Sequence, residues 1–336
     1  MFMLTTKDHV IASLIKADGY ISGEKISSSL GISRAAINAA VKSLRSAGYE
    51  IESSTQKGYR LLSHPDIVSS GELLPFLPSD RVEMIHTFDE VASTNDTLKQ
   101  LSFEGVPAGT VVIADYQSKG KGRRGRSFDS PHGTGIYFSY LMRPAIAPAD
   151  ASQITAWTAV AIRRAISRAC GIDPEIKWVN DLVVDSKKVT GILTEMTMES
   201  ESGMIDSIVI GIGINVNQVE SDFPEDIRNI AGSLRMKKGE MISRAPIVAE
   251  MVKEMDKLSD SIPCSASEYL NEYRDACLTL GKEVSVVKVH DSGEEPRHGT
   301  AVDINPDFSL KVRFEDGHEE DLSSGEVSVR GLYGYI

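Results

Sequence analysis

Apolar positions recur at helical spacing three times in the first fifty residues. Val10, Ile11, Leu14 and Ile15 predict a helix over residues 5–17. A second, shorter helix follows Ser22-Gly23, carries Ile26 and Leu30, and ends at Gly31. A third starts at Ser33, a good N-cap type, and stops at Gly48, with Ile37, Ala40, Val41 and Leu44 as its apolar stripe. Its opposite face carries Arg34, Asn38, Lys42 and Arg45. The stretch YEIESSTQKGYRLL then reads as two short strands around a Gln56-Lys57-Gly58 turn. Three helices, a tight Leu-Gly-Ile-Ser turn before the last, and a hairpin make the winged helix-turn-helix pattern.

Residues 64–80 hold three prolines with Ser and Gly, which marks a linker rather than a core element. Beyond Arg81 the pattern alternates. TVVIADYQ at 110–117, GIYFSYLM at 135–142 and DSIVIGIGINV at 206–216 read as strands. Residues 152–171 read as a long helix burying Ile154, Trp157, Ala161, Ile162, Ala165 and Ile166. After residue 278 the chain changes to short strands and polar turns (KEVSVVKVH, HGTAVDINP, SLKVRFEDG, SVRG), the pattern of a small all-β, barrel-like unit. The expected class is a multidomain α+β protein. Its expected domains are a winged helix (1–63), a linker (64–80), a central mixed α/β domain (81–277) and a C-terminal β unit (278–336).

Charge changes the picture of the first domain only. The 336-residue chain has net charge −12, which argues against nucleic acid. Residues 1–63, however, hold eight Lys/Arg against five Asp/Glu, a net +3, so the rest carries −15. A DNA-facing surface is plausible only there. In that reading Arg34 and Asn38 reach base edges from the helix that Ser33 opens, while Lys42, Arg45 and Lys57 contact phosphates. The bland alternative is a three-helix cap with solvated basic residues.

No apolar run reaches the roughly 18 residues of a membrane span, and Lys7, Asp8, Lys16 and Asp18 interrupt any secretory core at the start. Cys170, Cys264 and Cys277 are an odd count without CxxC spacing, so neither disulfides nor zinc are indicated. A reduced, cytoplasmic protein is expected.

The most unusual segment is Lys119-Gly120-Lys121-Gly122-Arg123-Arg124-Gly125-Arg126, five cations in eight residues. It matches G-x-G-x-x-G, yet the dinucleotide fingerprint needs a helix directly after the glycines. The chain continues SFDSPHGTG, which cannot supply that helix, and no Gly-Lys-Ser/Thr closes a Walker loop. A cationic loop between strands remains. Its plainer reading is a solvated basic loop or a nucleic-acid patch. The interleaved glycines argue otherwise, because they let backbone N–H groups close around an anion, as an ATP triphosphate or a reaction joining two anions would need.

Three further segments accompany it. Ser93-Thr94-Asn95 opens a helix, where Ser or Thr is usually only a cap. KWVNDL (177–182), followed by KKVTGIL (187–193), places a cation, an amide and a carboxylate between apolar residues. GIGINVN (211–217) ends an apolar strand with glycines that permit close approach. Each alone is more often structural than functional.

In the order STN, YQ-x₂-GxGRRGR, KWxNDL-x₅-KxxGIL and GxGINVN, the chain resembles the biotin–protein ligases. With its N-terminal winged helix it resembles the bifunctional type, BirA, that is also the biotin operon repressor. Two departures are visible: Lys121 stands where arginine is common, and Val179 where proline is common.

The resemblance implies a class II synthetase-like catalytic domain and a C-terminal SH3-like barrel. It implies biotin and ATP as substrates with Mg²⁺, and activation of biotin as biotinyl-5′-AMP. Biotin then passes to a lysine of a biotin carboxyl carrier protein, of acetyl-CoA carboxylase or another biotin-dependent carboxylase. It also implies a homodimer on operator DNA. By resemblance, Ser93, Thr94, Asn95 and Gln117 line the biotin ureido pocket. Gly120, Lys121, Gly122 and Arg123 close over biotin and the adenylate, with Arg123 retaining the intermediate. Lys188 neutralises the biotin carboxylate or α-phosphate. Arg124, Arg126, Lys177, Asn180 and Asp181 serve the nucleotide, Asp181 as the Mg²⁺-facing carboxylate. Gly211, Gly213 and Asn215 floor the adenylate, and residues 217–235 form a second mobile loop. Rival readings are a lipoate or octanoate ligase, a non-enzymatic biotin-sensing repressor, and a ligase whose winged helix no longer binds DNA.

Overall fold

The structure is a computed structural model describing residues 4–199, 201–262, 266–288, 295–323 and 327–331. Cys264 lies outside the described residues.

The N-terminal unit comprises α1 (Thr6–Lys16), α2 (Gly23–Leu30), α3 (Arg34–Ser46) and the antiparallel hairpin of β1 (Glu50–Ser54) and β2 (Gly58–Ser63). Local chemistry sets each boundary. Thr5 and Asp8 form a reciprocal capping box at α1. Ser22 and Ser33 cap α2 and α3 by accepting from Lys25 and Ala36 amides, and Gly31 ends α2 in the left-handed region. Val10, Ile11, Leu14, Ile26, Ile37, Val41 and Leu44 are buried together as the core of this unit.

Residues 64–80 differ from the expected linker. They form α4 (Ser70–Leu73) and α5 (Ser79–Val82), and Leu73, Leu74 and Leu77 belong to the central hydrophobic core. The prolines punctuate this segment, but the leucines between them carry enough apolar surface to bury. Gly71 is packed so closely on α1 that a Cβ there would lie 2.4 Å from the Ile11 side chain.

The central domain contains β3 (Ile85–Val91), α6 (Thr94–Phe103), β4 (Val111–Gln117), β5 (Gly135–Met142), α7 (Ser152–Cys170), β6 (Glu175–Lys177), β7 (Asp181–Val184), β8 (Lys187–Met198), β9 (Ile205–Asn215), α8 (Leu234–Lys238), α9 (Arg244–Ser261) and α10 (Ala266–Ala276). Its seven-stranded sheet runs β3-β4-β5-β9-β8-β7-β6, parallel only between β3 and β4. Alternation along the strands sends Ile208, Ile210, Ile212 and Ile214 into the main core with α7 and α9. Val209 and Leu141, on the other face, pack with Leu98 of α6. The long helix predicted over 152–171 is α7, ended by left-handed Gly171.

The C-terminal unit is β10 (Glu283–Lys288), β11 (Arg297–Ile304), β12 (Leu310–Phe314), β13 (Glu319–Leu322) and β14 (Val327–Gly331). These make one antiparallel sheet in the order β13-β12-β11-β10-β14, in agreement with the all-β expectation. The indole N–H of Trp178 donates to Phe308 O at 2.9 Å and ties this sheet to the central domain.

One buried cluster joins the segment after the wing to the central domain. Arg244, 2% exposed, donates from Nε to Asp66 Oδ2 at 2.9 Å and from Nη1 to Asp115 Oδ1 at 2.8 Å. Asn217 donates to the same Asp66 oxygen at 3.1 Å. A buried arginine tolerates this position because its donors meet two carboxylates and the Gly135 carbonyl.

Candidate functional site

Sheet register makes a bare patch on the α6 face. Gly211 of β9 lies between Ser139 of β5 and Leu193 of β8, and Gly213 lies between Tyr137 and Gly191. Three glycines and a serine let neighbouring side chains settle directly on the strand backbone there: Asn95 over Gly211, Phe128 over Gly213 and Lys188 over Gly191. Over this floor opens a narrow cleft. The first turn of α6, the end of β4, the cationic loop after it, and Asn180 and Lys188 surround it.

At the α6 end the polar groups form one network. Gln117 Oε1 accepts from Thr94 N at 2.9 Å and Thr94 Oγ1 at 3.1 Å, and its Nε2 donates to Ser130 Oγ at 3.0 Å. Ser139 Oγ lies 2.6 Å from Asn95 Oδ1 and 2.8 Å from Thr94 Oγ1. Ser93 stands at the N-cap position of α6 but makes no side-chain capping bond. It is buried and lines the cleft, so the plain capping role does not account for it.

At the other end the groups are charged. Arg123 Nη1 donates to Asn180 Oδ1 at 2.9 Å, and Asn180 Nδ2 donates to Ile192 O at 3.1 Å. Burial, then the neighbouring Arg124 cation, push the Arg123 pKa down while Asp181 opposes them; an arginine nonetheless stays protonated at neutral pH. Lys188 Nζ sits 2.7 Å from Asp181 Oδ1. Lys121 pairs with Asp96 in the first turn of α6, and this pairing occupies the residue where arginine was expected. The Trp178–Val179 peptide is cis.

The structure thus brings Ser93, Thr94, Asn95, Gln117, Lys121, Gly122, Arg123, Asn180, Lys188, Gly211 and Gly213 around one cleft. Gly120 is buried beneath it, where a Cβ would lie 2.3 Å from Phe128 O. Asp181 and Lys177 are opposite each other across β6 and β7, half-buried, and do not line the cleft.

Other expectations are displaced. Arg124 and Arg126 are exposed and do not line the cleft. A single 3₁₀ turn, Arg123–Gly125, turns the loop there, and Arg124 takes φ 59. The Gly122 N–H donates to Arg126 O at 2.7 Å, so the loop spends that amide on itself rather than on an anion. Asn215 is buried and donates to Gly232 O at 3.0 Å. It anchors the 217–235 segment rather than flooring the cleft. That segment returns onto β8, with Lys188 N donating to Ile230 O at 2.7 Å.

Phe128, Ser139 and Glu195 were not singled out from sequence. Phe128 lies across Gly213, whose added Cβ would come within 2.5 Å of the ring. Its signal was an aromatic residue directly after the glycine-rich loop. Ser139 and Glu195 sit inside strands, where only register reveals which face they take.

Among the described residues no three His, Cys, Asp or Glu are grouped to hold a metal. Asp181, the expected Mg²⁺-facing group, is already paired with Lys188. The described residues therefore build no cluster of three such ligands, and Asp181 is the one expected metal-facing group among them.

In the winged helix, Arg34 is exposed beside Glu24 at 3.4 Å, and Lys42 is exposed. Lys57 lies 5.4 Å over the Tyr20 ring. Asn38 accepts from Tyr59 Oη of the wing. Arg45 donates to Ile51 O at 3.0 Å and Ser53 Oγ at 2.7 Å. Its guanidinium braces the hairpin rather than standing free for phosphate. Ser33 is the α3 cap.

A cleft with a neutral hydrogen-bonding end and a cationic end is suited to join a polar organic acid to a nucleotide. The chain belongs to the biotin/lipoate A/B protein ligase family, whose model matches residues 87–215. A helix-turn-helix domain model matches residues 6–60. "Bifunctional ligase/repressor BirA" of Bacillus subtilis (strain 168) is 40% identical over 71% of this chain and 73% of its own. The protein of the same name from Escherichia coli (strain K12) is 27% identical over 95% of this chain and 96% of its own. Among solved structures, "Biotin protein ligase from Aquifex aeolicus in complex with biotin and ATP" superposes with TM-score 0.62 at 30% identity, covering 74% of this chain and 98% of that one. No helix among the described residues is long and apolar enough to cross a membrane.

Proposed function

We propose that this protein activates biotin with ATP, transfers it to a carrier-protein lysine, and represses transcription in response to biotin. The observation that carries the reading is the two-ended cleft over the Gly211–Gly213 floor. At the α6 end, both Gln117 Oε1 lone pairs are used and one Nε2 hydrogen remains, while Asn95 Oδ1 and Thr94 Oγ1 keep acceptor capacity. Donor and acceptors side by side match a cyclic urea, which carries one C=O and two N–H groups. The dithiolane of lipoate or the alkyl tail of octanoate offers nothing to these groups. Burying such polar atoms without partners is costly.

In the first step a biotin carboxylate oxygen attacks the α-phosphorus of ATP. The P–O bond to the β-phosphate breaks and pyrophosphate leaves with that electron pair. Bringing a carboxylate to a polyanion is the difficulty, and positioning with charge neutralisation answers it. Lys188 stands beside the reacting carboxylate and α-phosphate, and Arg123 holds the product. Asn180 and Asp181 keep these cations in place, Lys177 faces Asp181 across β6 and β7, and a Mg²⁺ held near Asp181 would neutralise charge on the triphosphate. In the second step the carrier lysine amine attacks the acyl carbon, the acyl C–O bond breaks, and AMP leaves; the amine proton passes to solvent. The cationic loop and residues 217–235 exclude water meanwhile. Residue roles follow from position and family likeness.

Biotinyl-AMP binding linked to homodimerisation would place two winged helices on a two-fold operator in the cytoplasm. Exposed Arg34, Lys42 and Lys57 support the DNA-facing role. Incubation with Mg-ATP, biotin and an apo carrier domain should give ATP-dependent streptavidin-detectable carrier. No labelling of a carrier that another ligase modifies would refute the ligase reading. Operator footprinting with and without biotin plus ATP tests the repressor role, and equal protection would refute it.

A further inference from the structure

Glu195 belongs to none of the sequence motifs, and no step above uses it. It stands on β8 two residues beyond Leu193, on the face that carries the cleft, opposite Val209. Its Oε2 accepts from Asn95 Nδ2 at 2.7 Å, and its Oε1 accepts from Lys99 Nζ at 2.6 Å. Asn95 and Lys99 are four residues apart on α6, so they share a helix face and reach one carboxylate together. Asn95 is 4% exposed, and its Oδ1 lies over Gly211, where an added Cβ would come within 2.4 Å of it.

A side-chain amide can be seated in two ways that differ only in exchanging oxygen for nitrogen. A carboxylate only accepts, and an NH₂ group only donates. With Glu195 ionised, the reversed amide would set Oδ1 against a carboxylate oxygen; the observed seating sets NH₂ there. Lys99 keeps the carboxylate charged and in place. The amide hydrogens are spent on Glu195 and, at 3.5 Å, on Leu193 O. Asn95 therefore keeps only acceptor capacity for a ligand, at the oxygen that also receives Ser139.

We propose that Glu195 is a positioning residue that holds Asn95 with its oxygen toward the cleft, and so selects ligands bringing an N–H donor to that end. The inference rests on the cleft being the biotin site, where a ureido N–H would be that donor. It adds a determinant of specificity that lies outside the cleft lining.

The chemistry supplies a discriminating test. Glu195→Gln leaves one oxygen for two donors. The Lys99 ammonium is the stronger competitor, so the glutamine NH₂ turns toward Asn95 and favours the reversed amide. Removing the competitor with Lys99→Met frees the glutamine oxygen for Asn95. Wild type, Glu195→Gln, Lys99→Met and the double variant would be compared in carrier labelling, with biotin and ATP varied separately and melting temperatures recorded. Glu195→Gln should raise the KM for biotin roughly tenfold, the scale of one lost polar contact, while kcat and the KM for ATP stay within about twofold. The double variant should recover biotin KM to within a few-fold of wild type. An unchanged biotin KM in Glu195→Gln would overturn the proposal. So would a double variant no better than the single one, or a parallel loss of kcat, ATP KM and melting temperature. Absence of labelling by wild type would instead overturn the biotin reading beneath it.

Discussion

At the α6 end of the cleft, Thr94, Asn95, Gln117, Ser130, Ser139 and Glu195 are linked through neutral or singly charged hydrogen bonds. At the opposite end, Arg123 and Lys188 are cations whose partners are Asn180 and Asp181, while Lys121 reaches back to Asp96 in the first turn of α6. The first end is held together by the protein's own hydrogen bonds, and its remaining donors and acceptors suit a neutral polar group. The second end stores cationic charge against internal partners, and an incoming phosphate must compete for it. One end is built for discrimination and the other for charge stabilisation, so substitutions at the two ends should fail differently.

The largest effect is expected from Lys188→Met at the charged end. Adenylate formation should fall by roughly 10²–10³-fold, the scale of one lost charge-stabilising group, with a much smaller loss of biotin affinity. Rapid-quench measurement of biotinyl-AMP against a biotin titration separates the two. Next, Arg123→Gly should leave synthesis largely intact but speed release of biotinyl-AMP by roughly a hundredfold, about 2.7 kcal/mol of lost contact. Biotin on bystander lysines reads this, and unchanged retention would remove Arg123 from that role.

A smaller effect of the other kind is expected from Gly211→Ala. The new Cβ would press on the Asn95 amide, so the KM for biotin should rise about tenfold, near 1.4 kcal/mol, with the KM for ATP unchanged. If ATP KM rose as much, the two ends would not be separable.

The winged helix supplies the smallest effects. Arg34→Ala should weaken operator binding by about 1–3 kcal/mol if the residue reaches a base edge, without touching carrier labelling. Arg45→Ala should instead lower the stability of the winged-helix unit by about 1–2 kcal/mol, since its bonds go to Ile51 O and Ser53. Thermal melts distinguish that from a DNA contact.

Much of this was legible in sequence, for identifiable reasons. The winged helix declared itself through Ser22, Gly31 and Ser33, whose capping chemistry is local. The lining residues clustered in four contiguous motifs, which place cations and glycines near each other whatever the tertiary detail. Glu195 and Ser139 were not legible, because their partner Asn95 is separated from them by 100 and 44 residues and only the β5-β9-β8 register unites them. Asn215 and Arg45 carried the right residue types, yet their bonds to Gly232 and Ile51 depend on how neighbouring segments fold back. The 64–80 segment misled for a compositional reason: its prolines and serines mask Leu73, Leu74 and Leu77, which complete the core.

The central claim is that both ends of the cleft belong to one site that joins biotin to the α-phosphate of ATP. Exchange of labelled pyrophosphate into ATP, without any carrier, tests it most directly. The account predicts exchange that requires biotin and is nearly lost in Lys188→Met. Exchange that proceeds without biotin, or no exchange in a folded wild-type protein given biotin and Mg-ATP, would contradict it.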